Sequence, residues 1–180
     1  MYKFIKQQKG FTLVELIVVI AIIGVLMTSI IGVFMFGVNL YNSSNDSYMA
    51  RTTAQIVLQK IQNDITYAQS VMVNSTNTSD ASKVTGTNYL YSSNGSLILK
   101  NGSTVSDTFP VGSMASSYGC SVSFDVSSTK SVDIIININK GGNIIYTINT
   151  TIYIVGLESA SNNVIDDNTG SSVGTEIAYH

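Results

Sequence analysis

The chain has one cysteine, Cys120, so no intramolecular disulfide can brace it. Its one histidine, His180, is the last residue, and no histidine near Cys120 in sequence is there to activate it as a nucleophile. Zinc-ligand spacing is absent as well. Charge is scarce: Asp, Glu, Lys and Arg make up 11% of the 180 residues, for a net charge of −2. No basic cluster lies beyond the first ten residues, which excludes electrostatic recognition of nucleic acid. These absences leave no catalytic cluster, no cofactor motif and no metal set. A domain of this kind must be held by its core and by what it packs against.

What the chain does have is hydrophobicity, 44% of residues, unevenly placed. From Phe11 to Val38 the only charged residue is Glu15. About 20 apolar residues suffice to cross a bilayer as a helix, so this run spans with length to spare. A charge inside a bilayer costs roughly 2.5–3.5 kcal/mol on insertion scales, and such a group is read as functional by default. Ahead of the run, residues 1–10 carry Lys3, Lys6 and Lys9 and no acid, which keeps this end in the cytoplasm and sends the remainder across. A cleaved secretory signal would need a shorter apolar core and a small-residue cleavage site, whereas Asn39-Leu40-Tyr41-Asn42 follows here. An uncleaved signal anchor fits the same pattern.

Between Lys9 and the apolar helix stand Gly10, Phe11, Thr12, Leu13, Val14 and Glu15. Gly-Phe-Thr-Leu-x-Glu behind a short Lys-rich leader resembles the type IV prepilin motif. The resemblance covers residues 9–38 and extends to the rest in architecture only. It implies cleavage between Gly10 and Phe11 by a membrane-embedded prepilin peptidase, and N-methylation of Phe11 by the same enzyme. It implies a filament of pilin subunits with their N-terminal helices in its core, assembled with an inner-membrane platform protein and an ATPase. The expected location is the cell membrane, single-pass with the N-terminus cytoplasmic, and then a surface filament. A minor pilin of a type IV pilus and a pseudopilin of a secretion or DNA-uptake system share this helix, and the sequence leaves both open.

Elementary electrostatics gives Glu15 a role in that scheme. An α-amino group has a pKa of about 7.7–8.0, so the amine released on Phe11 is largely cationic at neutral pH. Glu15 lies four residues beyond it, and an opposite charge offsets part of the cost of a buried carboxylate. By the resemblance, Glu15 pairs with the terminal amine of a neighbouring subunit and sets register during assembly. The plainer alternative is that Glu15 only complements the positive end of its own helix. Gly24, Thr28 and Gly32, spaced by four, form a small-residue stripe on which helices can approach closely in lipid. Simple tolerance of Gly in membrane helices remains the alternative. The only proline is Pro110, so Gly32 and Gly37 are the weak points of the run.

The sequence predicts an α+β architecture in five segments: a leader at 1–10, a transmembrane or filament-core helix at 11–38, an amphipathic continuation at 39–73, an antiparallel β head at 74–157, and a polar tail at 158–180. Ala54, Leu58, Ile61, Ile65, Ala68 and Met72 share one helix face. The polar Asn42–Ser47 is a weak spot in this helix, which is expected to end near Val73. Residues 74–86 read as a loop. A hairpin follows over 88–100, turning at Asn94-Gly95. Residues 101–118 read as irregular. Cys120, Val122, Phe124 and Val126 alternate with polar residues as a half-buried strand, as do Val132, Ile134, Ile136 and Ile138. Lys140–Asn143 turns into a long strand over 144–155, and the tail is expected to be loose. Cys120 reads as a small core residue. Asp166-Asp167-Asn168-Thr169-Gly170 offers oxygen ligands but lacks the full calcium-loop pattern, and reads as a solvated turn.

Overall fold

In the computed structural model, helix α1 runs unbroken from Leu13 to Ile65. The structure describes residues 10–74, 87–109, 117–160, 163–166 and 174–180. The chain falls into two units, Met1–Asn45 and Asp46–His180.

In the first unit the helix is apolar and exposed all round, with Phe11 81%, Ile30 60% and Phe34 67% accessible. A helix hydrophobic on every side suits lipid or the interior of an assembly. α1 is long and apolar enough to cross a membrane.

In the second unit α1 becomes one-sided. Ala50, Thr53, Ala54, Val57, Ile61 and Ile65 are buried, at the spacing of one helix face. Val57 takes the central place expected of Leu58, which is half-buried at the edge of the core. Full burial of an Ile such as Ile61 or Ile65 stabilises by about 1.5–3 kcal/mol relative to exposure.

The helix ends at Ile65, not near Val73. The Thr66 carbonyl accepts hydrogen bonds from the N–H groups of Val155 and Gly156, and the His180 carbonyl accepts from Gln69 at 2.7 Å. These tertiary bonds turn the chain into strand β1 (Val71–Asn74), so Met72 lies in a strand. Gly156 is essential to this junction, because a Cβ there would meet the carbonyl oxygens of Ala68 at 2.3 Å and Tyr67 at 2.4 Å.

The head holds two sheets in place of the single meander expected. β2 (Asn88–Ser93) and β3 (Ser96–Asn101) form the predicted hairpin, with φ of 50° at Asn94 and 74° at Gly95, the two positive values a tight hairpin turn requires. β4 (Thr104–Phe109) extends it through a stretch read as irregular. β5 (Gly119–Ser128), β6 (Ser131–Lys140) and β7 (Asn143–Tyr153) form an antiparallel meander. α2 (Val155–Ala160) begins where β7 was expected to continue.

The polar tail is not loose where it is described. It supplies β8 (Ile165–Asp166) and β9 (Glu176–Tyr179). The six-stranded order is β4-β3-β2-β9-β1-β8, so β9 lies between two strands that precede it by about a hundred residues of chain. Ile177 and Tyr179 on β9 are buried with Ile61, Phe124, Ile134 and Leu157 in one core. This is an α+β fold, a long N-terminal apolar helix whose second part packs on antiparallel sheet. Asp167–Gly170 lie outside the described residues.

Candidate processing and assembly site

Gly10, Phe11 and Thr12 are non-helical and exposed, immediately before α1 begins at Leu13. The Gly10–Phe11 peptide bond therefore lies in open backbone, outside the helical hydrogen-bond ladder. Thr12 is the N-cap. Its hydroxyl accepts from the Glu15 N–H at 3.3 Å. The Glu15 carboxylate reaches back to accept from the Thr12 N–H at 3.0 Å and the Thr12 hydroxyl at 2.9 Å. This reciprocal arrangement is a capping box, and it satisfies donors that the first turn cannot pair internally. Both acceptor contacts use Oε2 of Glu15. The carboxylate also complements the positive end of the helix dipole.

Further along, among the described residues nothing lies within 4 Å of a Cβ added at Gly24 or Gly32. The Thr28 hydroxyl donates to the Val25 carbonyl at 2.8 Å, and the Ser29 hydroxyl donates to the same oxygen at 3.2 Å. Both hydroxyls are thus satisfied within the helix, as an apolar environment requires. The stripe of Gly24, Thr28 and Gly32 is exposed throughout.

Sequence reasoning missed a second cluster. Asp46 is the first charged residue after Glu15 and lies in the polar run read as a weak spot. Its carboxylate accepts from Lys140 Nζ at 2.6 Å on Oδ1 and 2.7 Å on Oδ2, and from the Tyr118 hydroxyl at 2.8 Å. Lys140 Nζ also stands 5.5 Å from the centre of the Tyr118 ring. The lysine hydrogen bonds, then the tyrosine one, hold the Asp46 carboxyl below its ordinary range. The same ion pair raises Lys140, and Tyr118 is raised first by burial and then by Asp46. The signal available in the sequence was a lone acid in a polar helix segment and a lone base beside Gly141-Gly142. Nothing linear joins residues 94 positions apart.

Cys120 is fully buried, and burial pushes its thiol up to about 12. His180 serves the fold through its backbone, pairing with Ser70. Among the described residues, no three His, Cys, Asp or Glu side chains come together as a metal site would need.

The family described as the prokaryotic N-terminal methylation motif matches residues 5–37, the segment that contains the capping box and the apolar run. Among solved structures the chain is similar to the PilB minor pilin from Streptococcus sanguinis, with a TM-score of 0.50 and 12% identity over 76% of this chain and 34% of that one. The chain thus carries a prepilin-type methylation motif at its head. No curated protein matches it. The chain spans about a third of the length of the solved minor pilin, and at 12% identity that likeness speaks for the fold alone. The motif match and the geometry of the first turn are independent of it.

Proposed function

We propose that the chain is a structural subunit of minor-pilin type, cut between Gly10 and Phe11, N-methylated on Phe11, and incorporated into a type IV filament through α1. The reading is carried by one observation. An open, exposed Gly10–Phe11 bond directly precedes a capped first turn bearing Glu15, at the head of a helix whose apolar wall is exposed on every side. A peptidase needs extended, accessible backbone, and the cut there removes Lys3, Lys6 and Lys9 together. The remaining apolar helix resides in the bilayer until other pilin subunits cover it. Close approach along Gly24, Thr28 and Gly32 suits that covering. Partners on this reading are the prepilin peptidase, the platform protein and assembly ATPase, and further pilin subunits. Glu15 supplies the charge that a neighbouring subunit's terminal amine reads as register.

Intact mass and N-terminal fragmentation of the protein from native membranes test the proposal. A chain beginning at methylated Phe11 is the expected result. A chain beginning at Met1 overturns it and leaves an uncleaved anchored domain.

A further inference from the structure

The stretch Asn42-Ser43-Ser44-Asn45-Asp46-Ser47 is helical although it is composed of poor helix formers. Ser, Asn and Asp side chains compete with the helical ladder by bonding nearby backbone, and the same residues are the preferred N-caps. Asp46 is therefore a ready start signal for a helix that begins at Ser47. As an N-cap it would accept from the N–H of Tyr48 or Met49, and the residues before it would lose their reason to be helical.

The structure gives Asp46 another occupation. Both carboxylate oxygens are taken by Lys140, and Oδ1 also by Tyr118. These partners stand on firm ground. Tyr118 is 7% exposed and belongs to the core. Lys140 is the last residue of β6, where it pairs with Asn143 across the turn of Gly141 and Gly142.

We propose that Lys140 and Tyr118 form a latch that keeps α1 continuous through Asn42–Ser47 by denying Asp46 the N-cap role. With the latch closed, the helix passes unbroken through its weakest stretch. With it open, Asp46 caps a shorter helix and the residues before it loosen. The head then stays folded on its own part of α1, from Ala50 to Ile65, while the stretch ahead of it becomes a joint.

The test is backbone hydrogen exchange on the full chain in detergent micelles, read on peptides covering residues 39–47 and 54–65. In Lys140→Met, amides of 39–47 should exchange about tenfold faster while 54–65 stay unchanged. Adding Asp46→Ala to that variant should remove most of the increase, because alanine neither caps nor competes. Unchanged exchange at 39–47 in Lys140→Met overturns the proposal. So does an equal rise in both peptides, which would mark the pair as a general brace of the head. Failure of the double variant to recover overturns it as well, since capping by Asp46 is then not the competing state. The measurement reads the isolated subunit, so it is independent of whether the chain is cut or assembled.

Discussion

Lys140 Nζ lies 2.6 Å from Oδ1 and 2.7 Å from Oδ2 of Asp46, so one ammonium from the β6–β7 turn engages both oxygens of one helix carboxylate. Ion pairs at partly exposed sites are individually weak. This one matters for its place: it falls where the helix has least reason to persist.

The pair has a definite pH dependence. Asp46 is depressed in the folded state, so its contribution is present above its unfolded value of about 3.9 and is lost as pH falls through the lower folded value. Lys140 is raised, so its contribution is present below about 10.4 and is lost only as pH rises through a still higher folded value. The pair is therefore intact across the neutral range and titrates away in acid. Urea midpoints of wild type and Lys140→Met, followed by circular dichroism in micelles, should differ most near neutral pH and converge as pH falls below the ordinary carboxylate range. Curves that run parallel from neutral pH into acid would show that the ion pair does not contribute.

Thr12 and Glu15 allow the cap to be separated from the charge. Thr12→Ala removes the N-cap and should destabilise the first turn by about 0.5–2 kcal/mol. Glu15→Gln keeps a side chain that can complete a capping box but removes the charge. If Glu15 acts through its charge on a neighbouring amine, both Glu15→Gln and Glu15→Ala are cleaved normally but are depleted from sheared filaments. Normal incorporation of Glu15→Gln would assign Glu15 to the cap alone.

Cys120 should be chemically silent in the native head. It is fully buried on β5 and its thiol is raised to about 12 by loss of solvation, so thiolate is negligible at neutral pH. An aromatic disulfide reagent should label the folded chain at the rate of unfolding and label it promptly in concentrated urea. Rapid stoichiometric labelling without urea would mean that β5 opens locally.

How much of this was legible in the chain follows the range of the forces involved. The motif at Gly10–Glu15 and the apolar run to Val38 are local, and each is a statement about neighbours in sequence. The Asn94-Gly95 turn and the alternation along β5 and β6 are local as well, since they depend on backbone φ preference and a two-residue period. The small-residue stripe could be located by counting, although among the described residues nothing lies within 4 Å of a Cβ added at Gly24 or Gly32.

The end of α1 could not be read in the same way. Ala68 and Met72 continue the helical spacing of Ile61 and Ile65, so periodicity alone runs past the true end. What stops the helix is the pull of Val155, Gly156 and His180 on the backbone beyond Ile65, bonds that exist only once distant segments have docked. β9 was hidden for the same reason. Glu176-Ile177-Ala178-Tyr179 is too short and too polar in its setting to announce a strand, yet it pairs with both β1 and β2 and puts Ile177 in the core.

By itself, then, the sequence determined that this protein has a long apolar N-terminal helix with one carboxylate at its head and a β-rich remainder. Those features follow from hydropathy, charge placement and turn chemistry, which act over a few residues. Only the tertiary structure decided where the helix stops, that the tail completes the larger sheet, and that Asp46 is held by Lys140. Each of these depends on a hydrogen bond or ion pair between residues far apart in the chain, and such partners carry no linear spacing that marks them as a pair.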